Sequence, residues 1–378
     1  MRSLDDATTV CEAFLPGLLD ALAATPLSVL EGPDSPALDL FRRAGGPALL
    51  IPKTYSGLGA TPKDALQISR ALGSHAPSLA VATAMHHFSV ATIFTLADSL
   101  KASGLEWALL EGIADQNLLV ASAFGEGNSG QGILESNVIG TRTPTGLIVN
   151  GSKKPCSIAR SMDLLSASAV VVDDAGKREN VILLIPANSA GVSVHPFWGS
   201  TVLRAAESEE VRLTDVEVDN SLVMPTSTGV GGELDDLQTI GFIWFEMMIT
   251  SAYLGMASAL VERAIDIGHL GAERVAEMTV RLETATYLLE TVAHILDAGE
   301  SDHSALAKVV TARYGAEDAI VDSVGQAVAA LGGLAYINSP DVAYLASAAQ
   351  CVRFHPPSRA RTCESIAASV TGDVFRIR

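Results

Sequence analysis

One acidic side chain in this sequence stands among unusually apolar neighbours: Glu246, in Trp244-Phe245-Glu246-Met247-Met248. A carboxyl group buried among such residues keeps its proton more tightly than in water and can serve as a general base near neutral pH. His86 and His87, in Met85-His86-His87-Phe88, lie in a second apolar stretch. Histidines in that setting are read first as satisfied core residues and only then as the lining of a pocket. The run Gly125-Glu126-Gly127-Asn128-Ser129-Gly130-Gln131-Gly132 lets backbone N–H groups come close to an anion or a ring carbonyl. Near the end of the chain, Arg353, His355, Arg359, Arg361, Arg376 and Arg378 form a local positive patch that could receive an anionic ligand. No cluster of His, Cys, Asp or Glu has the spacing of a metal site, and Cys11, Cys156, Cys351 and Cys363 are too scattered for a redox pair.

The chemistry is set in an acidic chain of 378 residues with a formal net charge of −18. That balance excludes nucleic acid as the expected partner, because phosphate binding needs a basic surface. The length suits two or three core-forming units. Met1 to Asp6 lacks the pattern of a secretory leader, and no apolar run is expected to be long enough to cross a bilayer. Four unpaired thiols fit a reducing cytoplasm. The expectation is a soluble cytoplasmic protein.

Three periodicities divide the elements that must position these groups. From Asp5 to about Asn117 apolar residues recur at helical steps, as at Ala65, Ile68, Ala71 and Leu72. From Leu118 to about Thr228 short β-prone runs alternate with turn residues: Leu147 to Val149, Leu164 to Val172, Val181 to Ile185, Val211 to Val218. After Gly229-Val230-Gly231-Gly232 the helical period returns. Ile249, Tyr253, Met256, Leu260 and Ala264 make one stripe; Val309, Arg313, Ala316, Ile320, Ser323 and Ala327 make another. The predicted architecture is α+β: a helical domain (1–117), a β-barrel domain (118–228) and a C-terminal four-helix bundle (229–378).

Four stretches, in order along nearly the whole chain, resemble the acyl-CoA dehydrogenase family. Ile51-Pro52-Lys53-Thr54-Tyr55-Ser56-Gly57-Leu58-Gly59 is similar to the proline–tyrosine–glycine loop of the family's first domain, and Val149-Asn150-Gly151-Ser152-Lys153 to its "NGxK" turn. Trp198-Gly199, Arg204 and Glu210 to Val218 resemble the stretch ending in a "DVxVP"-like strand, and Gln326 to Tyr336 resembles "QxxGGxGY". The resemblance implies bound FAD, with FMN as the lesser alternative. It also implies a homodimer or homotetramer and oxidation of an acyl thioester carried by CoA or by an acyl carrier protein. In that chemistry a base takes the α-proton while the β-hydride passes to the flavin.

Carried over residue by residue, the resemblance puts Ser157 at the threonine that hydrogen-bonds the flavin, and Pro155 where an aromatic normally covers it. Ser129 matches the serine of the "TEPxAGSD" loop. Gln326, Gly332 and Gly333 border the cofactor's diphosphate, and Arg274, in Gly268 to Arg274, offers a phosphate contact where the family's adenosine-holding stretch is missing. At the usual "YEGT" base the chain reads Arg353 to Arg361, without a carboxylate and with Arg359 near the position. Glu246 stands close to the alternative base used in some subfamilies. His86, His87 and Arg359 are weaker candidates for the substrate pocket, and Arg359 with Arg361 for docking an acidic carrier. The leading expectation is an acyl-thioester dehydrogenase with Glu246 as base. The alternatives are a flavin-dependent monooxygenase on the same fold and a non-catalytic binding scaffold.

Overall fold

The computed structural model describes residues 2–99, 104–127, 136–172, 176, 178–229 and 234–377. The first domain is helical: α1 (Arg2–Phe14), α2 (Leu18–Ala23), α3 (Leu27–Leu30), α4 (Ala37–Arg43), α5 (Pro62–His75), α6 (Pro77–Ala97) and α7 (Leu105–Gln116). Helix α5 starts where Thr61 and Asp64 cap each other's backbone N–H and Pro62 takes the first turn.

The middle domain is one eight-stranded sheet in the order β6-β7-β3-β2-β4-β5-β8, with β1 alongside β4. Its strands are β1 (Val120–Ala123), β2 (Ile139–Arg142), β3 (Gly146–Cys156), β4 (Leu164–Val172), β5 (Arg178–Pro186), β6 (Val192–His195), β7 (Glu209–Asp219) and β8 (Val223–Gly229). One edge of β4 is shared end to end: Leu164–Ala167 pair in parallel with β1, and Val170–Val172 with β2. The expected barrel is a sheet whose end strands β6 and β8 are not paired with each other among the described residues. Four-residue β6 is half exposed and, among the described residues, pairs only with β7.

The C-terminal helices are α8 (Asp236–Asp266), α9 (Ala272–Asp297), α10 (His303–Asn338), α11 (Pro340–Gln350) and α12 (Arg359–Val370). Asp235 and Gln238 form the capping box that starts α8. Helix α8 is the hub, packed against α5, α6, α9, α10 and α11. Small residues permit this closeness. A Cβ at Gly73 would lie 2.0 Å from the Ala252 carbonyl oxygen, and one at Gly255 2.0 Å from that of Arg70. Ser69 adds a hydroxyl donated to the Met248 carbonyl at 2.8 Å.

The expectation that no run could cross a bilayer is corrected by the helix lengths. Three helices, α6, α8 and α10, are long and apolar enough to cross a membrane by length and composition, with mean hydropathy of 1.4, 1.3 and 1.5. Scattered polar residues make the runs look short in sequence, but a 31-residue helix such as α8 tolerates them. The apolar windows of α6 and α8 are 78% and 94% buried inside the protein, against 22% for α10.

Candidate active site

A cavity of about 350 Å³ opens where the three domains meet. Helix α6 presents Met85, Phe88 and Thr92 to it, and α8 presents Gln238, Phe242 and Phe245, both sets at three- and four-residue steps. The sheet adds Ser122, Phe124, Pro155, Ser157, Ser168 and Ile182, and the segment after α11 adds Cys351, Phe354, His355 and Pro356. Phe88 meets Phe124 and Phe245 edge-on, with centroids 5.2 and 6.0 Å apart. Among the described residues, no Asp, Glu, Lys or Arg lines the cavity.

Two polar pairs interrupt the apolar wall. The Tyr253 hydroxyl and His355 Nε2 are 2.7 Å apart. Burial, helped by the nearby Arg313 charge, pushes His355 down to about 3, so its imidazole is neutral at physiological pH. Burial also holds the Tyr253 phenol well above its ordinary range. On the sheet side, the Ser157 and Ser208 hydroxyls are 2.9 Å apart.

Glu246 is one residue from the cavity wall at Phe245, yet it is not part of the lining. It is 1% exposed, and its Oε2 lies 2.8 Å from Arg313 Nε. That pair is not aligned as a hydrogen bond, and neither carboxyl oxygen has a hydrogen-bonding partner. Burial raises the carboxyl to about 8 against the pull of Arg313, with Glu317 adding to the rise. Arg313 also reaches Glu317 Oε2 at 2.5 Å and donates to the carbonyls of Val352 at 2.8 Å and His355 at 3.3 Å. The structure thus places the expected base behind the wall, beside the arginine that holds the His355 segment.

The other anticipated residues separate. His86 is a core histidine: its Nε2 faces the Pro47 carbonyl and its Nδ1 receives the Val120 N–H, both at 3.0 Å. His87 is buried with neither ring nitrogen hydrogen-bonded, against Phe41 and His86. Neither lines the cavity, which corrects their assignment to a substrate pocket, because their turn of α6 faces the helical core and β1. Arg359 is likewise outside it, gripping Asp318 at 2.5 and 2.7 Å and lying over the Tyr314 ring. Ser157 does line the cavity. Arg274 stands exposed at the start of α9, and Gln326, on α10, faces Arg281. Gly332 breaks α10 with φ +80°, a conformation glycine adopts readily. A methyl group added at Gly332 or at Gly333 would meet nothing within 4 Å beyond the local helix backbone. Ser129 lies outside the described residues.

Tyr253, His355, Ser168 and Ser208 are not singled out for this site by the sequence. Tyr253 sits in the apolar stripe of α8, and His355 in the basic patch of the tail. Only folding brings them within hydrogen-bonding distance, so no local spacing could have revealed the pair.

The cavity fits a flavin ring. Its aromatic and aliphatic walls suit the ring's apolar faces, and the serine hydroxyls, with the backbone at Gly125, offer partners for its polar edge. A Cβ at Gly125 would come within 3.0 Å of the Lys154 carbonyl oxygen, so the wall there is formed by backbone.

Comparison with known proteins points the same way. Residues 247–371 match the family described as acyl-CoA dehydrogenase, C-terminal domain. Over 378 residues, covering 100% of both chains, the sequence is 43% identical to isobutylamine N-hydroxylase of Streptomyces viridifaciens. It is 28% identical to dibenzothiophene monooxygenase of Rhodococcus qingshengii over 228 residues, 59% of this chain and 53% of that one. The fold matches FMN-bound TdsC of Paenibacillus sp. A11-2 with a TM-score of 0.79 at 21% identity, over 100% of this chain and 99% of that one.

Proposed function

The chain belongs to the acyl-CoA dehydrogenase-like flavoprotein family, and on that premise we propose that it is a flavin-dependent monooxygenase that hydroxylates the nitrogen of a small apolar amine. It is a flavin-dependent oxidoreductase of the predicted fold. The dehydrogenase expectation is corrected: the relatives alike in sequence include an N-hydroxylase over the whole length and a monooxygenase over part of it.

The observation that carries the reading is the full-length similarity to an amine N-hydroxylase, and the charge-free cavity supports it. The balanced reaction takes an amine, O2 and a reduced flavin to a hydroxylamine, water and oxidised flavin. Bound in reduced form, the flavin supplies the two electrons and activates dioxygen; a separate reductase supplies that reduced flavin. An amine can be hydroxylated only where its nitrogen lone pair is free, that is, when it is neutral. Burial in an apolar site shifts an ammonium towards the neutral amine, and among the described residues no carboxylate lines the wall to hold the charged form. The neutral Tyr253–His355 pair can give or accept a hydrogen bond at the nitrogen without adding charge. The phenyl rings of Phe88, Phe124 and Phe245 exclude water from the reacting atoms.

The cofactor's nucleotide is read from the mass of the flavin released on denaturation, FAD or FMN. The function is tested with isobutylamine, O2 and flavin reduced by a separate NADH-dependent reductase. The expected product is the hydroxylamine, formed only when protein, amine and reductase are together. Reduction of bound flavin by an acyl thioester, with no amine oxidised, would overturn the reading.

A further inference from the structure

Behind the sheet side of the cavity lies a buried ion pair that the proposed reaction leaves unused. Lys153, on β3, is 0% exposed. Its ammonium has three protons and three acceptors: the Glu126 carboxylate, Ser136 Oγ at 2.9 Å and Ser168 Oγ at 2.8 Å. The second Glu126 oxygen accepts the Asn137 N–H at 3.1 Å. Burial pulls the ammonium's pKa down and Glu126 opposes the loss.

The two serines end up in different states. Ser136 Oγ accepts from Lys153 and from the Val138 N–H at 3.1 Å, and it donates its own proton to the Ser168 carbonyl at 2.9 Å. It is saturated. Ser168 Oγ accepts from Lys153, a donor that can take nothing back, and its hydroxyl proton has no protein acceptor among the described residues. Ser168 is half-buried and lines the cavity. Lining the cavity, it can donate that proton to what occupies it. A hydroxyl that accepts from an ammonium is also polarised into a stronger donor, and the positive charge behind it favours an electron-rich acceptor.

We propose that Ser168, backed by Lys153, is a hydrogen-bond donor to the electron-rich polar edge of the reduced flavin, so that the protein binds reduced flavin in preference to oxidised. Lys153 is a positioning residue in this arrangement, because it reaches the ligand only through Ser168. The proposal rests on the flavoprotein reading but not on the identity of the amine. Selection for the reduced form suits an enzyme that takes its flavin from a separate reductase and must release it after turnover.

The test is anaerobic titration of the protein with reduced and with oxidised flavin, in the absence of amine, for wild type, Ser168→Ala and Ser168→Thr. Ser168→Ala is expected to weaken reduced-flavin binding roughly tenfold and oxidised-flavin binding less, the loss of one charge-assisted hydrogen bond. Ser168→Thr, which keeps the hydroxyl, should restore the preference. A double variant, Lys153→Met with Glu126→Gln, removes the charge without leaving an unpaired carboxylate and should shrink the preference as Ser168→Ala does. An unchanged ratio of the two affinities in correctly folded Ser168→Ala overturns the proposal. So does a variant whose only defect is a raised KM for the amine, which would place the hydroxyl against substrate. If the wild type binds no flavin in either state, the functional reading fails together with this one.

Discussion

Replacing Arg313 with methionine should expose what Glu246 does. The arginine is 1% exposed and is shared by two buried carboxylates, Glu246 at 2.8 Å and Glu317 at 2.5 Å. It also donates to the Val352 and His355 carbonyls. Methionine fills most of the space and leaves Glu246 without a counter-charge, while Glu317 keeps only Arg359, at 3.8 Å. Removing one partner of a buried pair costs about 3–5 kcal/mol, and that is the deficit expected at pH 7.5. The sign of its pH dependence follows from the carboxyl proton. Burial holds Glu246 at about 8, above the ordinary 4.5, so the folded state binds a proton that the unfolded chain releases in that window. A raised carboxyl pKa makes folded-state stability fall as pH rises through the window and recover as pH falls towards 4.5. In Arg313→Met the lost charge raises Glu246 further, but the wild-type carboxyl at about 8 is already largely protonated at pH 7.5, so the deficit against wild type narrows by less than about 1 kcal/mol between pH 7.5 and 5.5. Urea unfolding followed by tryptophan fluorescence at the two pH values measures it. The companion Glu246→Gln, which leaves Arg313 paired with Glu317, should cost about 1 kcal/mol and keep amine hydroxylation. An Arg313→Met deficit under about 1 kcal/mol at both pH values would refute this role. A stable Glu246→Gln protein that has lost its chemistry would refute it equally.

Other outcomes follow from the same geometry. The logarithm of kcat/KM for an amine should climb with unit slope per pH unit up to the amine's own pKa, with no break from His355, which titrates near 3; a plateau starting near pH 6.5 would contradict this. His87→Leu should stabilise the protein by about 1 kcal/mol at pH 7, since both ring nitrogens are buried and unbonded. The gain should widen below pH 6.5, because the wild-type histidine's folded pKa is depressed and the unfolded chain then takes a proton that the folded one refuses; denaturant midpoints at pH 5 and 7 check it. Leu334 and Ile337 are each 77% exposed on the end of α10, and Val280 and Tyr287 more than 60% exposed on α9. Sedimentation should show a dimer or tetramer, and Leu334→Glu with Ile337→Glu should shift it to smaller species.

The layout of helices, sheet and helices was legible because its signals are local: period-two runs such as Val181 to Ile185, helical steps such as Ile249 to Ala264, and the turn at Asn150-Gly151. Motif order then identified the family, and Ser157 lies on the cavity wall. What failed was the inference from apolar neighbours to an available base. Trp244 to Met248 correctly marks Glu246 as buried, but burial does not say which way the side chain turns, and Arg313 lies 67 residues away on another helix. The same limit hid the Tyr253–His355 pair, whose members are 102 residues apart in the chain. It also let Arg359 look like a binding residue, although Asp318 and Tyr314 on α10 already engage it. The proposed substrate class rests on the full-length similarity to an amine N-hydroxylase; the support from the charge-free cavity wall is visible only once that wall is assembled.

The most direct test of the central claim is a single turnover under 18O2, with protein, chemically reduced flavin and isobutylamine mixed and the product analysed by mass. The expected product is a hydroxylamine carrying one 18O atom, with water taking the other. Reoxidation of the flavin without label in the amine, alongside anaerobic bleaching of the oxidised flavoprotein by an acyl thioester, would contradict the N-hydroxylase reading.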